Sequence, residues 1–139
     1  WEPGEHNGTF RGNNHAFVTA TAALRCFWRT GRFENDVRRR SDYLVESLEL
    51  ICADYKDLFK LKGRGMMRGI DVGSGETAAA ITSAAFRKGL IIETSGADGE
   101  VVKVLAPLNI EQDVFAAGLG ILRQAFRTVL SGRHHMAAE

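Results

Sequence analysis

The residues from Glu5 to Asn14, EHNGTFRGNN, are the ones whose types and spacing could do chemistry. Two glycines, three asparagines, a threonine and a histidine stand together just ahead of an Ala-rich segment. A packed core has no need of that mixture, so the stretch reads as a site loop leading into a helix. Gly8 allows backbone conformations closed to other residues, or a close approach to a ligand. Thr9 adds a hydroxyl, and the start of the following helix adds free backbone N–H groups. Together these suit a phosphate. On local chemistry alone, a capped turn without a ligand is the commoner use of such residues.

The elements that must position this loop follow from periodicity. Asn14 to Arg29 is rich in Ala, Leu and Phe and reads as a mostly buried helix, with Asn13 or Asn14 as its N-cap and Thr30-Gly31 as its end. Phe33 to Tyr55 is the clearest helix. Val37, Leu44, Leu48, Ile51 and Tyr55 recur at helical spacing and share one face. Arg38, Arg39 and Arg40 fan out around that axis beside Asp36, Asp42 and Glu46, as a solvated face would.

Two strands are expected next, within Phe59–Arg64 and Gly65–Val72, with glycines marking a bend or a close backbone approach. Gly63, Gly65 and Gly69 do not make a dinucleotide fingerprint, because Arg68 stands where the third glycine would be. Arg68 itself reads as structural, with a salt bridge its expected use. Ser74 caps a helix from about Glu76 to Lys88, with Thr77, Ala80, Ile81, Ala84 and Ala85 inward, and Gly89 stops it. Leu90–Thr94 and Val101–Leu105 read as an antiparallel hairpin around a Gly-Ala-Asp-Gly turn. Pro107 ends the last strand. Asn109 or Glu111 opens a final helix from about Gln112 to Leu130, with Phe115, Leu119, Leu122 and Phe126 on one face and Val114, Ile121 and Ala125 widening it. Residues 131–139 are expected to fray, and His134 and His135 read as tail residues rather than metal ligands.

The order is helix, helix, strand, strand, helix, strand, strand, helix. That predicts an α+β fold with helices on one side of a small, mainly antiparallel sheet. The 139 residues suffice for one domain with a core. Hydrophobic residues make up 45% and charged residues 25%, and the net charge is +1, so nothing draws the chain toward nucleic acid or a membrane. No apolar run spans a bilayer and no signal peptide is visible, which leads us to expect a cytoplasmic protein. Cys26 and Cys52 are expected to be buried, reduced thiols, with a disulfide between them as the alternative.

His6-Asn7-Gly8-Thr9-Phe10-Arg11-Gly12-Asn13 resembles the H-x-x-T-[FY]-x-G-N motif of class III aminotransferases, which use pyridoxal 5'-phosphate. The resemblance runs from about Trp1 to Val129. It implies a C-terminal piece of such an enzyme: residues 1–30 a phosphate loop and helix of the large domain, 31–130 the small C-terminal domain of a fold-type I enzyme, 131–139 a tail. It implies that Thr9, with Gly8 beside it, binds the cofactor phosphate held by the neighbouring subunit of a homodimer. His6 and Asn13 would hold the loop's shape. Lys103 falls where similar family members carry an arginine, in R-x-x-x-P-L, that grips the substrate carboxylate. A lysine keeps the charge and loses the bidentate fork. Lys103 is therefore read either as a point charge for a substrate carboxylate or as a solvated strand residue.

In the family the Schiff-base lysine and the carboxylate against the pyridine nitrogen come earlier in the chain. This segment alone is expected to be inactive. The activity implied is amino transfer between small amino acids and oxo acids. Other ω-aminotransferase substrates, ornithine or 4-aminobutyrate, and a non-catalytic α+β interaction module are the alternatives.

Overall fold

The computed structural model describes residues 2–6, 8–55 and 58–136, with the backbone alone for residues 9, 10 and 132–136. Trp1, Asn7, Lys56 and Asp57 fall outside it, as do residues 137–139. The chain forms two compact units, Trp1–Asp36 and Val37–Glu139.

In the first unit, Thr9–Gly12 makes one 3-10 turn and Asn14–Phe27 makes helix α1. Asn13 is the cap: its Oδ1 accepts from the N–H of His15 at 3.0 Å and of Ala16 at 3.3 Å. Those are two of the donors that the first helical turn leaves without intrahelical partners. α1 was expected to be mostly buried, and no residue in it is. Phe17, Val18, Leu24 and Phe27 are exposed, and so is Cys26, expected to be buried. Apolar composition states a demand for burial, which these residues leave unmet.

Helix α2 runs Gly31–Ala53. From Val37 onward it belongs to the second unit, with β1 Lys60–Arg64, β2 Met67–Asp71, α3 Gly75–Phe86, β3 Glu93–Ser95, β4 Val101–Leu105 and α4 Gln112–Met136. The four strands form one sheet in the order β1-β2-β4-β3, antiparallel throughout. Ile70, Val102 and Val104 on the sheet join Leu44, Leu48 and Ile51 of α2 in one buried cluster. Ile81, Ala84 and Ala85 of α3 and Phe115, Leu122 and Phe126 of α4 complete it. Each large side chain taken out of water there contributes about 1.5–3 kcal/mol. Strand alternation sends Gly69 and Lys103 to the opposite face of the sheet. The fold is α+β, a small antiparallel sheet with helices packed on it.

Four local readings differ from the periodicity. β3 begins at Glu93, because the Leu90 N–H is spent on the Ala85 carbonyl at 3.0 Å and the Gly89 N–H on Phe86 at 2.9 Å. With Gly89 at φ 88°, this Schellman-type ending of α3 holds the chain out of the ladder. α4 continues past Leu130 to Met136. On α3, Ala78 is buried and Ala80 only half-buried. On α4, Val114 is exposed, since it lies just off the stripe that meets the sheet.

Two arginines are also more structural than their neighbours imply. Arg40 is half-buried and its Nε donates to the Ile110 carbonyl at 3.0 Å, tying α2 to the turn before α4. Arg68 makes no salt bridge among the described residues. Its Nη1 donates to the Gly63 carbonyl at 3.3 Å, within the β1–β2 hairpin.

Candidate functional site

Gly8 is the N-cap of the 3-10 turn, in extended conformation at φ −142° and ψ 108°. Its value here is space. A Cβ at Gly8 would come within 3.2–3.4 Å of the Arg11 side chain. Arg11 closes the loop: its N–H donates to the Gly8 carbonyl at 3.1 Å and its Nη1 to the His6 carbonyl at 3.2 Å. Thr9 opens the turn, and its side chain is outside the described atoms. Among the described residues, no side chain caps the start of the turn. A hydroxyl-bearing residue at the uncapped start of a turn, with glycine before it, is a donor set that fits a phosphate oxygen. His134 and His135 belong to the part of α4 described by backbone only.

Lys103 lies in the second unit, on β4, inside a row that crosses all four strands. Lys62, Gly69, Lys103 and Glu93 stand side by side in register. The Lys103 Nζ sits 3.0 Å from Glu93 Oε1, with side-chain exposures of 25% and 71%. The Lys62 Nζ sits 2.7 Å from Asp71 Oδ2. The hydrogen bond from Lys62, and then the Gly73 N–H, hold the Asp71 carboxyl below its ordinary value. The same hydrogen bond raises Lys62. Gly69 brings no side chain between the two lysines. A Cβ there would lie 2.5 Å from Val101 Cγ1 and 2.8 Å from the Val102 carbonyl oxygen.

The Glu93 partner of Lys103 is a site feature that sequence reasoning missed. Its signal was the hairpin register, which the turn between Ser95 and Val101 fixes. A cavity of about 430 Å³ was missed as well. Leu90, Ile92, Leu105, Pro107, Ile110 and Phe115 line it, and Glu93 and Lys103 are its charged lining residues. Leu90, Ile91 and Ile92, expected to belong to a strand over Leu90–Thr94, line it instead. Among the described residues, no group of three or more His, Cys, Asp or Glu could hold a metal ion, and no helix is long and apolar enough to cross a membrane.

The sequence profile of the aminotransferase class-III family matches residues 1–126. The chain belongs to the class III aminotransferase family. Among similar curated proteins, the diaminobutyrate–2-oxoglutarate transaminase of Vibrio cholerae is 49% identical over 125 residues, covering 89% of this chain and 30% of that protein. The protein of the same name from Halomonas elongata is 49% identical over 134 residues, covering 94% and 32%. The chain thus spans about a third of the length of the curated relatives it matches. Among solved structures, the lysine aminotransferase of M. tuberculosis matches with a TM-score of 0.78 at 23% identity, covering 91% of this chain and 29% of that one. The N-acetylornithine aminotransferase of Stenotrophomonas maltophilia K279a matches at 0.68 and 28% identity, covering 81% and 31%. The α+β fold of this class III segment is the one these aminotransferases share.

Proposed function

We propose that this chain is part of a pyridoxal-phosphate-dependent aminotransferase that moves the amino group of L-glutamate to L-aspartate 4-semialdehyde. The products are L-2,4-diaminobutyrate and 2-oxoglutarate, the entry step of ectoine synthesis. The observation that carries this reading is the 49% identity to two relatives bearing that activity in their names, over about nine-tenths of the chain. In this reading the protein is a cytoplasmic homodimer with active sites shared between subunits. Residues 1–30 belong to the large domain and 31–130 to the small one.

When bound, pyridoxal 5'-phosphate supplies the electron sink for amino transfer. This chain's residues act around it. The Thr9 hydroxyl and backbone N–H hold the phosphate of the partner subunit's cofactor, and Gly8 lets the loop approach it. Both groups donate to an anion, and such charge-assisted bonds are about twice as strong as neutral ones. Lys103 orients a substrate carboxylate as a point charge. The reacting lysine and the carboxylate for the pyridine nitrogen lie outside this chain.

The test uses the full-length enzyme. Aspartate semialdehyde should be the preferred acceptor when compared with the semialdehydes derived from ornithine and 4-aminobutyrate. Thr9→Ala should weaken cofactor retention by about 10- to 100-fold, the equivalent of one lost charge-assisted hydrogen bond. Equal retention in Thr9→Ala would remove Thr9 from the phosphate site. Preference for another acceptor would replace the substrate.

A further inference from the structure

Alternation along β4 decides which neighbour each residue's backbone faces. The Val72 N–H donates to the Glu100 carbonyl at 3.0 Å, just ahead of β4 and in the register of the β2–β4 ladder. In an antiparallel ladder every second residue turns its N–H and C=O to the same neighbour. Glu100, Val102 and Val104 therefore face β2, and Val101, Lys103 and Leu105 face the β3 side. Ser95 meets Val101 there, and Glu93 meets Lys103. The same register would give Leu105 to Ile91, but β3 starts only at Glu93. Among the described residues, no backbone hydrogen bond reaches Leu105 on that side. The opening is short. Pro107, next in the alternation, has no N–H, and its carbonyl accepts from the Ile110 N–H at 3.1 Å.

Leu105 also lines the cavity of about 430 Å³. Ile91, Leu105 and Val114 at its walls are large apolar side chains left in water, exposed by 85%, 60% and 56%. Its charged lining residues, Glu93 and Lys103, pair with each other. A charged ligand therefore finds no unmatched charge there. An open strand edge beside an apolar hollow suits an extended segment of chain. Main-chain bonds join the edge, and an apolar side chain enters the hollow.

We propose that an extended, apolar segment of the same polypeptide, from outside these 139 residues, fills this hollow and bridges to the backbone of Leu105. The chain spans about a third of the length of its curated relatives, so the larger part of such a polypeptide is left to supply the segment. Tethering gives that segment a high effective concentration at the hollow, which a separate partner lacks. The inference rests on the chain being part of a longer polypeptide, as the proposed function has it, and not on which substrate that enzyme takes.

The experiment uses the full-length holoenzyme. Hydrogen exchange read at single residues should show the Leu105 amide exchanging within about tenfold of the Lys103 amide, which β3 pairs. Ile91→p-benzoylphenylalanine, a photo-crosslinking variant, should attach on irradiation to a segment outside these 139 residues, in a product of monomer mass. A Leu105 amide that exchanges as freely as an unpaired one overturns the proposal. A crosslink of dimer mass seats a second copy in the hollow and also overturns it, as does the absence of any attachment outside residues 1–139. Neither readout uses turnover, so a different substrate preference would sink the proposed reaction and leave this inference standing.

Discussion

Asp54, just past the end of α2, is bound to Arg123 in the middle of α4. Its Oδ2 accepts from Arg123 Nε at 3.3 Å and Nη2 at 3.0 Å, and from Arg127 Nη2 at 3.4 Å. The Arg123 hydrogen bond, with Arg127 adding to it, holds the Asp54 carboxyl below its ordinary value. A carboxylate depressed in the folded state stabilises above its unfolded pKa, and that contribution is lost as pH falls through the folded value. Thermal melts from about pH 7 down to about pH 3 should therefore show Asp54→Asn less stable than the parent at neutral pH, with the two curves converging in acid. Asp71 shifts in the same direction, so the parent-minus-variant difference is what isolates Asp54. Parallel curves would mean that the contact contributes nothing.

Gly75, the first residue of α3, abuts the carbonyl of Asp98 in the β3–β4 turn so closely that a Cβ would overlap the oxygen. The obstacle is backbone and cannot swing aside. Gly75→Ala should cost about 1–3 kcal/mol, as overpacking does. Gly120, on the exposed side of α4, meets nothing within 4 Å at the same hypothetical Cβ. Gly120→Ala should instead stabilise by about 0.5–1 kcal/mol, the helix-propensity difference. Urea denaturation of the two variants should move the midpoint in opposite directions.

Phe126 is fully buried and its ring lies 5.9 Å from Phe59 and 6.5 Å from Tyr55. It joins α4 to the segment between α2 and β1. Phe126→Ala should cost about 3–5 kcal/mol, a large share of a domain's total. Phe126→Leu should cost much less. The denaturation midpoints of the two variants decide this.

The Ser74 Oγ accepts from the Thr77 N–H at 3.3 Å and begins α3. Ser74→Ala should lose about 0.5–2 kcal/mol, and Ser74→Asp should retain most of it, since both aspartate and serine cap well. Equal losses in the two variants would assign the effect to packing.

Much of this protein was legible in its residues. Leu44, Leu48 and Ile51 repeat at helical spacing because one face of a helix must leave water, and that rule needs no knowledge of the partner. Ser74 and Asn13 mark helix starts because their oxygens reach N–H groups two or three residues on. The β4 limits, Val101 to Leu105, follow from an apolar run closed by Pro107, which has no N–H to donate. The motif around Thr9 is local as well. All of these are contacts within a few residues of chain.

The tertiary structure decided what depends on distant segments. The Arg40 hydrogen bond to Ile110 spans 70 residues, so nothing near Arg40 distinguishes it from Arg38 and Arg39. β3 starts at Glu93 because α3 claims the Leu90 N–H for its own end. The turn between Ser95 and Val101 sets the register, and the register places Glu93 opposite Lys103. A one-residue slip would send the carboxylate to the other face of the sheet, so the pairing across strands, rather than the identity of either residue, put the two charges together.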